Sequence, residues 1–231
     1  MKNGLRALFL LVVILGVIAA AAASMWLGRG VKLAVERFGP GIIGAPVTVG
    51  SVVLAPWSGR GAISNLVIGN PPGFKGDRAL SVGAIDVKIK LSSLVTDTIV
   101  VESVVVRDPE IFYEMGSGGS NLARLQKNAE GGKGKPAPSQ GGKSLLIRDL
   151  KVSGGQVAAT AMGAGVKMPL PPVQLSNLGG KGRSPADAVS EVLSALTGSA
   201  GKAISNIGGK ALDAAASQVL GRLGGLLKGK K

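Results

Sequence analysis

Three features of this sequence carry residue types that do chemistry in other proteins. Gly142-Lys143-Ser144 ends like a phosphate-binding loop, in which glycines let backbone N–H groups close on a phosphate and the lysine supplies charge. That loop needs a glycine five residues before its second glycine, and Ala137 stands there instead, so the stretch reads as linker. Ser199-Ala200-Gly201-Lys202 has the Ser-x-x-Lys spacing of serine acyl enzymes, but their partner motifs are missing. Glu102, Asp108, Glu110 and Glu114 invite an acid/base reading. Their spacing along alternating strands makes them a solvated face instead, balanced by Arg107.

The chain contains neither histidine nor cysteine. A Ser-His-Asp triad, a cysteine nucleophile and an ordinary zinc or haem site are therefore excluded. Hard cations need clustered carboxylates, and no EF-hand loop or acidic cluster occurs. No catalytic residue, metal site or cofactor is expected, and the chain is not read as an enzyme. Aromatics supply only 3% of the residues, too few for a large aromatic-lined pocket, whereas 37 glycines favour turns and bulges. Net charge is +14, from 27 basic and 13 acidic residues. Such a surface is drawn to polyanions. Nucleic acid is the weaker reading, because no recognisable module is present and no stacking aromatics alternate with the basic residues.

The elements that must position any site are punctuated clearly. An uncharged run of 22 residues from Ala7 to Gly28 spans about 33 Å as a helix, against a bilayer core of roughly 30 Å. It predicts an uncleaved membrane anchor with Trp26 at the interface; the alanines Ala19–Ala23 leave a cleaved signal peptide as the alternative. Residues 1–39 are assigned to the anchor and a juxtamembrane helix, 40–129 to a β-rich domain. Predicted strands are Pro46–Leu54, Gly61–Ile68, Leu80–Leu91, Thr98–Val106 and Glu110–Met115. In the third, Ile85, Val87, Ile89 and Leu91 lie on one face and Asp86, Lys88 and Lys90 on the other, which marks a sheet buried on one side. Parity slips around Glu102-Ser103, which points to a bulge or a twist. A short helix is expected over Asn121–Asn128 and a disordered linker over residues 130–143. The sheet continues through 144–183, with strands Ser144–Val152, Gln156–Ala161 and a Val166–Leu175 segment broken by Pro169, Pro171 and Pro172. Residues 184–231 form amphipathic helices, one starting at Ser184-Pro185 and ending near Gly198, the other from Lys210 to Leu227.

Residues 40–130 carry several distinctive phrases. They are Gly44 to Gly50 (GAPVTVG), Gly61 to Phe74 (GAISNLVIGNPPGF), Leu91 to Val100 (LSSLVTDTIV), Pro109 to Glu114 (PEIFYE) and Ser120-Asn121-Leu122. In these phrases the chain resembles the AsmA-like family of Gram-negative envelope proteins, which are related to bridge-like lipid-transfer proteins. The resemblance implies a single-pass inner-membrane protein with its bulk in the periplasm and a curved sheet forming a groove for acyl chains. It implies membrane lipids (phospholipid or lipopolysaccharide) as partners, and a place in envelope biogenesis and outer-membrane assembly. With about 190 residues past the anchor, a sheet crossing the whole periplasm is not expected.

The expected fold is thus α+β: an N-terminal transmembrane helix, a twisted, mostly antiparallel, groove-like sheet and C-terminal helices. Ile85, Val87, Ile89 and Leu91 are the candidate lipid groove, with nearby Lys and Arg receiving a headgroup phosphate. Asn70, Pro71, Pro72, Gly73 and Phe74 form a structural turn, in which proline fixes φ, glycine takes positive φ and Phe74 pins the turn to the sheet. A scaffolding protein that binds envelope partners through its sheet edge and C-terminal helices is the alternative function.

Overall fold

A computed structural model describes residues 24–131, 143–161, 164–181, 183 and 185–205. Helix α1 covers residues 24–43 and leads into three antiparallel strands: β1 (Val47–Ala55), β2 (Arg60–Gly69) and β3 (Arg78–Ile89). A 3-10 turn at Leu91–Val95 precedes the long strand β4 (Thr98–Tyr113). A two-stranded ribbon, β5 (Met115–Gly116) and β6 (Gly119–Ser120), introduces helix α2 (Asn121–Gly131). Strands β7 (Ser144–Ser153), β8 (Gln156–Ala161), β9 (Ala164–Pro169) and β10 (Val173–Gly179) complete the main sheet, and helix α3 covers 185–205.

The sheet is mixed: five of its strand pairings are antiparallel and two, both made by β4, are parallel. Strand β4 pairs in parallel with β7 along its first half and with β8 along its second. Strand β7 starts beside the start of β4, with Ser144 opposite Thr98, so the two run in the same direction, as a crossover connection requires. The path runs β1-β2-β3-β4-β7-β10, with β8 and β9 extending the β4 side. A correction concerns the membrane helix. Among the described residues no helix is long and apolar enough to cross a membrane. Residues 7–23 of the expected span lie outside the described residues. The remainder, 24–28, opens α1, which carries Arg29, Lys32, Glu36 and Arg37 and lies along the sheet rather than apart from it.

Helix α1 covers the edge strand β1, where unpaired backbone groups would otherwise face another chain. Glu36 Oε1 accepts the Val49 N–H at 2.8 Å, Lys32 Nζ donates to the Gly50 carbonyl at 3.1 Å, and the Ser24 hydroxyl donates to the Leu54 carbonyl. Contact is so close at Gly28 that a Cβ there would collide with the Val52 carbonyl oxygen. Only glycine fits.

A line of left-handed residues crosses the sheet and explains why the sequence alternation slips. Asn65, Asp108 and Asn177 have φ of 53°, 50° and 57°. Asn and Asp tolerate this conformation because their short side chains bond locally. Each lies where strand pairing skips a position, as between Ser64↔Ala84 and Leu66↔Val82. Apolar-face membership therefore changes parity, from Val82 to Ile85 in β3 and from Val106 to Pro109 in β4. The slip at Glu102-Ser103 is a bulge: Lys88 opposes Ser103 while Ile89 opposes Val101, leaving Glu102 as the extra residue. Positive φ at Asp108 also lets β4 run on through Pro109, where two separate strands were expected.

The core lies on one face of the sheet, against α2 and α3, and includes Ile111, Leu122, Leu125 and Val157, each below 2% exposed. Asn128 Nδ2 donates to the Ile43 carbonyl at 3.0 Å, tying α2 to the end of α1. Ser190 Oγ lies 3.2 Å from Glu130 Oε1, tying α3 to α2. Glu130 and Gly131, the first two residues of the expected linker 130–143, are helical; residues 132–142 lie outside the described residues. Helix α3 passes through Gly198 to residue 205 instead of ending there. Ser184 and the expected helix over Lys210–Leu227 lie outside the described residues.

Candidate functional site

Between the sheet and α3 is a cavity of about 230 Å³. Its floor is built by β2 (Leu66, Ile68), β3 (Leu80, Val82, Ile85), β4 (Val104, Val106, Pro109) and β7 (Leu145, Ile147, Leu150, Val152). Its roof is α3, through Pro185, Ala188, Val189, Val192, Leu193 and Leu196. Every lining residue is Leu, Ile, Val, Ala or Pro. The helical spacing 185, 189, 192, 193, 196 presents one apolar stripe to the floor. Ala188 is the smallest residue of that roof, beneath which the wide, parity-switched sheet face is incompletely filled.

Of the four predicted groove residues, Ile85 lines this cavity. Val87 shares its face, directly opposite Val104 and Gly61, but lies beyond the lining toward the end of the strand. Ile89 follows the bulge and is half-buried. Leu91 is not in the strand: it opens the 3-10 turn, is 39% exposed and packs beside Gly59. The roof residues of α3 were missed as site residues, although their helical spacing was readable. No lysine or arginine lines the cavity, so the expected phosphate receivers are not part of it. Lys88 is on the polar face, 2.8 Å from Glu102. That hydrogen bond, reinforced by the lysine's charge, holds the Glu102 carboxyl below the usual glutamate range.

The remaining carboxylates do not converge. Glu110 pairs with Lys167 at 2.6 Å, and Arg107 balances Asp86 at 2.6 Å rather than the strand's own acids. Glu114 corrects the solvated-face reading, since it receives the Lys75 and Gly76 N–H groups at 2.6 and 2.9 Å. Its partner loop is the predicted turn. Gly73 has φ of 98°, as a type II turn requires at its third position, Pro71 is buried, and the Phe74 ring lies against Gly116. Asn70 Nδ2 donates to the Gly76 carbonyl at 2.9 Å, and Asn70 Oδ1 accepts from Asn121 Nδ2 at 2.7 Å. Fully buried Asn121 also donates to the Phe112 carbonyl at 2.6 Å and accepts the Glu114 and Leu122 N–H groups at 3.1 and 2.9 Å. Its amide thus uses both donors and both lone pairs of its oxygen, as a buried amide must. This network is a clasp joining the turn, β4 and α2.

Ser199 donates to the Pro171 carbonyl at 3.1 Å, so its hydroxyl serves helix packing, and Lys202 is exposed. Lys143 precedes β7, with its ammonium group on the Leu94 carbonyl. Among the described residues no cluster of three or more acidic side chains has metal-site geometry. No family model matches the sequence, and neither does any curated protein.

Proposed function

We propose that this chain is an AsmA-like envelope protein that binds lipid by taking an acyl chain into the cavity between the sheet and α3. The observation that carries the reading is the cavity itself: about 230 Å³ with a lining of aliphatic and proline side chains alone. An engineered apolar cavity of about 150 Å³ stays dry and takes up benzene, so this space is unfavourable for water and large enough for a hydrocarbon tenant. It is too small for two tails and a headgroup. One tail inserts while the headgroup stays outside, which agrees with a lining free of charge.

The resemblance in residues 40–130 supports the same class, and with it a location in the periplasm at the inner membrane. Binding rather than catalysis is proposed, because the polar side chains of the candidate motifs are committed to ion pairs, turns and helix packing. The test is native mass spectrometry of the full chain released gently from cell envelopes. Phospholipid or lipopolysaccharide retained in near-unit proportion supports the proposal. Protein carrying no lipid but a stoichiometric protein partner supports the scaffolding alternative instead.

A further inference from the structure

One end of the sheet gathers exposed apolar side chains that the cavity does not use. Strands β1 and β2 meet there in the turn at residues 56–59, with Trp57 at its tip and 66% exposed. The Ile89 N–H donates to the Gly59 carbonyl at 2.7 Å, which ties that tip to the end of β3 and the 3-10 turn. In that turn Leu94 is 43% and Val95 89% exposed. Helix α1 begins at the same end, because Ser24 is bonded to Leu54 near the close of β1; Met25, Trp26 and Leu27 are exposed beside it. Both tryptophans of the chain are therefore at one end.

The charges around this end have one dominant sign. Arg29, Arg60, Lys90 and Lys143 are exposed, and none is within ion-pair distance of a carboxylate among the described residues. Asp97 is the exposed acid among them, while Glu102 is held by Lys88. The seventeen residues Ala7–Ala23, all uncharged, join the described structure here at Ser24. An apolar centre with tryptophans at its margin and cations without a carboxylate partner around it is complementary to a bilayer interface: indole rings favour the headgroup level, and cations favour anionic lipid. A protein partner would be expected to meet these cations with acids, whereas a membrane meets them with phosphates and accepts Val95 into the acyl boundary.

We infer that the end of the sheet bearing Trp57, Leu94 and Val95 docks on the surface of an anionic lipid bilayer. This goes beyond the cavity reading and does not depend on what fills the cavity. Because the chain has no cysteine, single labels can be placed cleanly. The variants are Trp57→Cys and Val95→Cys at the docking end and Met115→Cys, exposed at the far end of β4, as the control. Each full-length protein, carrying a polarity-sensitive fluorophore, is combined with vesicles of phosphatidylglycerol or phosphatidylcholine containing a nitroxide-bearing lipid. Labels at 57 and 95 shift to the blue and are quenched in phosphatidylglycerol, several-fold more than in phosphatidylcholine or in 1 M salt, where the Debye length is about 3 Å. The label at 115 is unaffected. Arg60→Glu combined with Lys90→Glu weakens the docking contact about fivefold or more for each charge lost. Equal quenching at all three positions in phosphatidylglycerol overturns the inference. Quenching at 57 and 95 that is unchanged in phosphatidylcholine overturns the role given to the cations. Lipid in the cavity is measured on the same samples by mass spectrometry, so loss of docking with lipid retained counts against this inference alone.

Discussion

Replacing Ala188 by leucine tests whether the cavity is a site or an imperfection of the core. Ala188 is 1% exposed and projects from α3 into the cavity. Leucine adds three carbon-sized groups, at about 0.8 kcal/mol for each buried methylene, so filling empty space would stabilise the lipid-free protein by about 2 kcal/mol. The room is sufficient. At about 24 cal/mol per Å³, a void of 230 Å³ corresponds to about 5.5 kcal/mol of missing packing, of which one leucine recovers part. The assay is urea denaturation of delipidated full-length protein, in which about 2 kcal/mol moves the midpoint by about 1 M for a typical urea slope. The same substitution should reduce retained lipid, because the leucine takes the tail's place. A destabilisation of about 1–3 kcal/mol, the usual result of overpacking a filled core, would refute the reasoning. Unchanged lipid retention in a stabilised variant would place the lipid elsewhere.

Other parts of the structure give sharper structural tests. Asn121→Ala strips four hydrogen bonds from a buried clasp and leaves their partners unmet, so unfolding free energy should fall by about 3 kcal/mol or more, read by urea denaturation. A loss below about 1 kcal/mol would mean that the clasp is solvated. Gly28→Val forces α1 away from Val52, and hydrogen exchange at the Val49 amide should accelerate relative to amides of the central strand β4. No change in that ratio would show that α1 does not guard the edge. Glu102 has a folded pKa lowered by Lys88, so its small contribution to stability is present above the unfolded pKa and disappears as pH falls through the folded one. In carboxyl NMR titrations Lys88→Met should raise the Glu102 midpoint toward the ordinary value. A midpoint that does not move would remove Lys88 as the cause.

Much of the sheet was readable because most of its strands are bounded by Gly, Pro or Asn. The alternation of Ile85, Val87 and Ile89 against Asp86 and Lys88 reports a one-sided strand, and the slip at Glu102-Ser103 reports a real bulge. What pairing order demands was harder to see. A helix followed by a polar stretch between two strands permits either a return or a crossover, and the crossover makes β4 the parallel partner of β7 and β8. Left-handed conformations at Asn65, Asp108 and Asn177 were also hidden, since these residues occupy that region only where a neighbouring strand holds them there. Leu91 was placed on the groove by counting in twos, and the 3-10 turn after Ile89 takes it out of phase. The site itself was half legible. Its floor follows from strand periodicity, but the α3 roof required knowing which face the helix covers. Val189, Val192 and Leu193 of that helix cover the floor while leaving a void.

Photo-crosslinking from position 85 tests the central claim most directly. A benzophenone amino acid in place of Ile85 reaches into the cavity, whereas the same group in place of Lys88 faces solvent on the other side of the sheet. Illumination of the full chain in native envelopes should attach lipid at position 85 and not at 88, identified by mass spectrometry of the labelled peptide. Capture at position 85 of nothing but other residues of the same chain, in a protein that remains stably folded, would contradict the account and leave the cavity as an ordinary gap in a closed core.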